Sequence, residues 1–138
     1  MSAEIGRTKD AGWQIGVSRT VDHPIEQVWD FLTSAAGTAV WLGHGVRVLP
    51  ENGGRLKTAD GTAGEVRSFH PQDRIRLTWQ PEGWDHESTV QVAVRPNGPD
   101  RTMVRFHQDR LADSQERAQQ REHWRAVMQS VVEALNDS

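Results

Sequence analysis

Six histidines are the residues of this sequence best suited to metal binding or acid–base chemistry. They lie at His23, His44, His70, His86, His107 and His123. Two imidazoles can bind one metal ion when a single residue separates them on a strand, or when they are four positions apart on a helix. No two of the six histidines have either spacing. We therefore expect no metal site.

Acidic and hydroxyl side chains offer two further candidates for catalysis. Residues 85–88 read Asp-His-Glu-Ser, but on an extended strand the His and Ser point away from the Asp and Glu, so no triad is expected there. Glu65 would suit a general base if it were buried. Strand parity instead turns Val66 inward and predicts that Glu65 pairs with Arg74 or Arg76. We assign no catalytic residue and no cofactor.

Large aromatic side chains point to a different chemistry, the binding of an apolar molecule. Trp occurs six times and Tyr is absent, so indole rings must supply much of the buried area. We expect a pocket between a sheet and a helix. Its candidate apolar lining residues are Trp41, Trp79, Trp84, Phe106, Trp124 and Met128. For any single one of these residues, plain core packing is the alternative.

The predicted last helix changes character along one face. Its second half carries an apolar stripe, formed by Trp124, Val127, Met128, Val131 and Leu135. The same face nearer the helix start carries Arg117, Gln120 and Arg121 instead. These three side chains are candidates for the pocket mouth, where they would meet the anionic or polar end of a ligand. A solvated helix overhang is the alternative.

The elements that must position these residues follow from the hydrophobic period. Alternation predicts a first strand within Gln14–Val21, and helical spacing predicts a helix that begins at Pro24. A second short helix is predicted after Ser34, which can cap it. At least five short antiparallel strands follow, separated by Gly, Asn and Pro turns. Asp113 with Glu116 resembles a capping box at the start of the final helix.

Length and composition limit the remaining possibilities. The 138 residues fit one domain, which we place at 12–138 after a flexible segment, 1–11. A formal net charge of -3 lacks the basic excess of a nucleic-acid-binding protein. No apolar run approaches the length of a membrane span. The chain has no cysteine, which favours a reducing cytoplasm over an oxidising compartment.

Several short motifs resemble a known family when they are taken together. They are the segment 21–29 (VDHPIEQVW), Gly53-Gly54-Arg55, Asp60-Gly61, Gly64-Glu65-Val66, the segment 71–75 (PQDRI), Thr78-Trp79, Ser88-Thr89-Val90, Thr102-Met103-Val104 and Trp124. Their order is similar to that of the START/SRPBCC superfamily, in the branch of the activator of heat-shock protein 90 ATPase. Two positions depart from that branch: Gln108 stands where a His is frequent, and His123 where a Gly is frequent.

This resemblance implies an α+β helix-grip fold, with an antiparallel sheet of about six to seven strands wrapped around a long C-terminal helix and two short helices after strand one. It also implies a ligand-binding cavity, with Gln108 among its lining residues. We expect a monomer or homodimer that binds a small apolar or amphipathic molecule without covalent chemistry. One alternative is a cavity enzyme of the cyclase, dehydratase or hydrolase kind. Another is a stress-response module that contacts a chaperone or other protein.

Overall fold

The structure, a computed structural model, describes residues 7–8, 12–45 and 53–137. These residues form three helices and seven strands. The helices are α1 (Ile25–Thr33), α2 (Ala35–Trp41) and α3 (Ser114–Asn136). The strands are β1 (Arg7–Thr8), β2 (Gly12–Val21), β3 (Arg55–Lys57), β4 (Ala63–His70), β5 (Arg74–Trp79), β6 (Ser88–Pro96) and β7 (Thr102–Leu111).

The seven strands form one antiparallel sheet in the order β1-β2-β7-β6-β5-β4-β3. The long strands β2 and β7 lie side by side, and α3 follows β7 and packs across both. Because one face of an antiparallel sheet needs an apolar cover, the long helix closes the core. The predicted α+β helix-grip fold, with two short helices after the first long strand, is confirmed.

Burial follows the predicted alternation along the central strands. Ile75 and Leu77 of β5, Val92 of β6, and Val104 and Phe106 of β7 are each 0% exposed. Their neighbours in sequence point to the outer face of the sheet, as the period of two requires. The inner face and α3 therefore share one hydrophobic core.

Local signals set the limits of the two short helices. Pro24 is the N-cap of α1 and not its first helical residue, because its ψ of 156° is extended. Its carbonyl still accepts the N–H of Val28, at 3.1 Å, as the first helical hydrogen bond. Ser34 caps α2 as predicted, and its hydroxyl oxygen accepts the N–H of Gly37 at 3.1 Å.

Asp113 caps α3 as predicted, but the side chain of Glu116 reaches one residue further back than in a capping box. The N–H of Glu116 donates to Oδ1 of Asp113 at 2.8 Å, and Oε1 of Glu116 accepts the N–H of Ala112 at 3.1 Å. Two otherwise unpaired backbone donors are thus satisfied at the helix N-terminus. The apolar stripe of α3 is buried along its second half, at Trp124, Val127, Met128, Val131 and Leu135.

The predicted ion pair of Glu65 is wrong in its partner. Val66 is 1% exposed and points inward as predicted. Glu65, however, pairs with Arg67 at 3.1 Å and not with Arg74 or Arg76. Because Val66 pairs with Leu77, Glu65 stands across from Thr78, whose hydroxyl oxygen accepts the Glu65 N–H at 2.9 Å, and not across from either arginine.

Two expectations fall partly outside the described residues. Within the segment 1–11, Arg7–Thr8 form β1 against the start of β2, and the other residues are outside the described part of the chain. The segment 46–52, where the first predicted hairpin turn begins, also lies outside the described part of the chain. Of the helices in the described ranges, none combines the length and apolarity needed to cross a membrane.

Candidate functional site

A cleft of about 380 Å³ lies between α2, the end of β5 and the first half of α3. Its aromatic lining residues are Trp41, Trp79, Trp84 and His123. We call it the indole cleft. Three of the four tryptophans predicted to line a pocket therefore meet at one place, although they come from a helix, a strand and a loop.

Trp79 stands at the centre of this aromatic group. Its ring centroid lies 5.8 Å from that of Trp84, edge to face at 86°, and 5.8 Å from that of His123. Trp79 is 6% exposed, whereas Trp84 is half-buried on the loop between β5 and β6. Together these rings form an apolar wall of the cleft.

Other predicted apolar lining residues lie behind the cleft, in the core. Trp124 is 1% exposed and stacks on Phe106, with ring centroids 5.1 Å apart. Trp41, which also lines the cleft, has its ring centroid 6.1 Å from that of Phe106 and donates its indole N–H to the carbonyl of Leu32 at 2.8 Å. Met128 is 3% exposed. Trp124, Phe106 and Met128 therefore lie in the core behind the lining of the cleft.

Gln108 holds together three elements of the core. Its Oε1 accepts the indole N–H of Trp124 at 2.8 Å, and its Nε2 donates to Oγ of Ser88 at 2.9 Å. The Ser88 hydroxyl in turn donates to the carbonyl of Trp79 at 2.5 Å. Gln108 is 0% exposed, so its carboxamide is committed to this network and lies outside the lining of the indole cleft.

The three polar residues predicted for the pocket mouth are separated by the fold. Gln120 lines the indole cleft. Arg117, one turn earlier, donates from Nε to the backbone carbonyl of Gln14 in β2 at 2.7 Å. Arg121 is exposed and is not among the described residues that line the cleft. The helix face that looks continuous in sequence is thus divided between the cleft, β2 and solvent.

The polar lining also includes residues that sequence reasoning did not select. His123 lines the cleft, and burial lowers the pKa of its imidazole although the Asp60 carboxylate opposes this effect. The hydroxyl of Thr58 and the N–H of Thr62 bond to the Asp60 carboxylate and lower its pKa. At neutral pH, His123 is therefore neutral and Asp60 is charged.

One signal for His123 was present in the sequence. It follows Gln120 by three residues, and such residues share a helix face. Asp60 and Thr62 carried no comparable signal, because the loop after β3 reaches the cleft only through the tertiary fold. In the described residues, no three histidine or carboxylate side chains come together as a metal-binding group.

A hydrogen-bonded histidine ties the loop that carries Trp84 to the start of α3. Nε2 of His86 lies 2.7 Å from Oε1 of Glu116, and Nδ1 lies 3.0 Å from Oδ1 of Asp85. The imidazole also stacks on Trp84 at 4.8 Å. Burial disfavours the charged imidazole, but the hydrogen bonds to Asp85 and Glu116 outweigh this effect and raise the pKa of His86. We call this arrangement the His86 bridge.

The His86 bridge predicts a pH-dependent contribution to stability. Since the pKa of His86 is raised on folding, its stabilising effect is complete below the unfolded pKa of ~6.5 and is lost as pH rises through the folded pKa. Glu116→Gln keeps an acceptor for the Ala112 N–H but removes the charge. The difference in unfolding free energy between wild type and this variant should therefore shrink from about pH 6 to about pH 9.

Urea unfolding at both pH values measures this difference. Glu122→Gln is the matched control, because Glu122 is an exposed residue of α3 that pairs with Arg125 and not with a histidine. Its difference from wild type should stay constant over the same range. An equally constant difference for Glu116→Gln would contradict the predicted role of the bridge.

Solved structures with the same fold come from several organisms. Protein MLL2253 from Mesorhizobium loti aligns with a TM-score of 0.76 at 21% identity, over 91% of this chain and 98% of that chain. CalU16 from Micromonospora echinospora aligns with a TM-score of 0.72 at 20% identity, over 94% and 80%. PFC0360w, an HSP90 activator from Plasmodium falciparum, aligns with a TM-score of 0.64 at 20% identity, over 75% and 76%. At these identities, the similarity shows the fold alone.

A family model agrees with this fold and covers most of the sequence. No curated protein matches the chain. The model for "Activator of Hsp90 ATPase homolog 1-like protein" matches residues 22–136, which include α1, α2, β3 to β7 and α3. The match thus contains every aromatic and polar residue that lines the indole cleft. The chain belongs to the family of activator of Hsp90 ATPase homolog 1-like proteins.

Proposed function

We propose that this chain binds a small, largely apolar or amphipathic molecule in the indole cleft and performs no covalent chemistry on it. The observation that carries the proposal is the convergence of Trp41, Trp79 and Trp84 on one cleft of about 380 Å³. Small-molecule sites are typically apolar clefts of about 300–1,000 Å³ with a few polar groups. The family fold is consistent with a ligand-binding domain.

The proposed contacts combine predicted residues with those that the fold adds. From the predicted set we retain four, namely Trp41, Trp79, Trp84 and Gln120. The fold adds Asp60, Thr62 and His123. We propose that the other predicted apolar residues and Gln108 keep the walls of the cleft in place and do not touch the ligand.

Replacing Trp84 tests the proposal, because this indole is the half-buried wall of the cleft. Titration with the neutral fluorescent probe phenylnaphthylamine should show saturable binding to wild type. Trp84→Ala should weaken it about tenfold, equivalent to ~1.4 kcal/mol, through loss of one ring face. Thermal melts should accompany the titration, since the variant also loses the stack on His86.

Trp13→Ala is the matched control. Trp13 is also a partly buried indole packed against the core, but it lies on β2, outside the lining of the cleft. Probe affinity should be unchanged in this variant. Equal weakening by both substitutions would contradict the proposed site. No saturable binding to wild type would contradict the proposed function and favour the protein-interaction alternative.

A cavity enzyme of the cyclase, dehydratase or hydrolase kind is the second candidate, and one observation favours it. His123 is neutral at neutral pH, and its buried Nε2 has no hydrogen-bond partner among the described residues. A neutral imidazole at a ligand site is suited to act as a general base. Mass spectrometry of a co-purified small molecule, before and after incubation with the protein, separates the two functions. Conversion of the molecule by wild type, but not by His123→Gln, supports the enzyme.

A further inference from the structure

Unpaired polar atoms collect at the indole cleft. In the described part of the chain, four buried side-chain nitrogen or oxygen atoms have no hydrogen-bond partner. Three of them belong to residues that line the cleft: Nε1 of Trp79, Oε1 of Gln120 and Nε2 of His123. Buried polar groups are nearly always paired, so this concentration marks a place where a bound molecule is expected to supply partners.

The three atoms belong to side chains that line the same cleft, and two of them have fixed hydrogen-bonding roles. Gln120 and His123 are three residues apart on α3 and share one face of the helix. The ring of His123 lies 5.8 Å from that of Trp79. The indole N–H of Trp79 only donates, and the carbonyl oxygen of Gln120 only accepts. A ligand that pairs both atoms therefore needs one acceptor and one donor.

The charge of the lining limits the ligand further. Among the described residues that line the cleft, Asp60 is the only charged one. His123 is neutral because burial lowers its pKa. The arginines expected at the mouth lie elsewhere, since Arg117 bonds to a β2 carbonyl and Arg121 is outside the lining. A ligand anion would thus meet a carboxylate with no cation to compensate it.

We infer that the indole cleft selects an uncharged aromatic molecule whose polar edge carries a hydrogen-bond donor beside an acceptor, as a carboxamide does. This inference rests on the proposed function and specifies its ligand class. The aromatic part packs against Trp79 and Trp84, the acceptor receives the Trp79 N–H, and the donor bonds to Gln120. A carboxamide carries both functions in one group, because its carbonyl oxygen accepts and its NH2 donates.

Three probes with the same ring system test this class. Naphthalene is apolar, naphthamide adds a neutral carboxamide, and naphthoate adds a carboxylate of similar size. Calorimetric or fluorescence titration of wild type should show naphthamide binding about tenfold more tightly than naphthalene. Naphthoate should bind no more tightly than naphthalene, because its charge faces Asp60 without a compensating cation.

Two variants show whether the preference comes from the unpaired atoms. Trp79→Phe keeps an aromatic ring but removes the N–H, and Gln120→Met keeps the length of the side chain but removes the carbonyl. In each variant, the affinity for naphthamide should fall to about that for naphthalene. Naphthalene itself should still bind. Gln119→Met is the matched control on an exposed position of α3 and should retain the wild-type preference. Because Gln120 is only partly buried, its variant keeps the test valid if Trp79→Phe folds poorly.

The outcomes separate this inference from the proposed function. If no probe binds, both are overturned. If the three probes bind equally, the cleft binds apolar molecules but the inferred polar edge is wrong. If naphthoate binds most tightly, and Arg121→Ala removes that advantage, the ligand is anionic and the inference is overturned. A naphthamide preference that Gln120→Met leaves intact also overturns it.

Discussion

Trp124→Ala is expected to lower the free energy of unfolding by about 3–5 kcal/mol. Trp124 is 1% exposed and stacks on Phe106 at 5.1 Å, so its removal leaves a cavity between α3 and the sheet. The substitution also deprives Oε1 of Gln108 of its donor in the middle of the core. An unpaired buried acceptor adds to the cost of the lost apolar area.

Urea denaturation monitored by circular dichroism measures this loss. Trp124→Phe is an informative second variant, because it retains an aromatic ring that can stack on Phe106. It removes the hydrogen bond to Gln108 but only part of the side-chain volume. Its loss should be roughly half that of the alanine variant. A loss below about 1 kcal/mol for Trp124→Ala would be typical of an exposed side chain and would contradict the position of α3 on the sheet.

Gly37→Ala is expected to destabilise the protein by ~3 kcal/mol or more, although alanine is the better helix former by ~1 kcal/mol. Gly37 lies in α2, where a Cβ atom would come within 1.8 Å of the carbonyl oxygen of Phe31 and 2.6 Å of its carbonyl carbon. Both atoms are backbone, so no side-chain rotation can relieve the contact. The two helices would have to move apart beside Trp41, which lines the indole cleft.

Chemical denaturation of Gly37→Ala beside Ala36→Gly tests this expectation. Ala36 is the exposed neighbour on the same helix, and the reverse substitution there should cost only about 1 kcal/mol of helix propensity. Phenylnaphthylamine affinity should fall in Gly37→Ala and stay unchanged in Ala36→Gly. A neutral or stabilising Gly37→Ala would mean that α1 and α2 do not approach each other so closely.

Most of the fold could be predicted because its signals are local. The alternation of Ile75, Leu77 and Trp79 defines the inner face of a strand without reference to the rest of the chain. In the same way, Asp113 and Glu116 mark the start of α3 through bonds that span three or four residues. The order of such elements was sufficient for the helix-grip topology, which the sheet order confirms.

The site was predictable only in its residue types. Trp41, Trp79 and Trp84 were predicted to line a pocket, and they do meet at one cleft. Arg117 was predicted beside them, yet it donates to the carbonyl of Gln14 in β2, 103 positions away in the chain. Periodicity identifies a face of a helix but not the point along it at which one neighbour ends and another begins.

The sequence by itself thus determined the elements, their order and the apolar face of each, because these depend on contacts between residues a few positions apart. The tertiary structure alone decided which polar groups meet the cleft. Gln108 bonds to Trp124 inside the core, and His123 comes into reach of Asp60 through the fold. The physical reason is that burial and charge at a site depend on groups from distant segments, whose distances only the packed sheet and helix define.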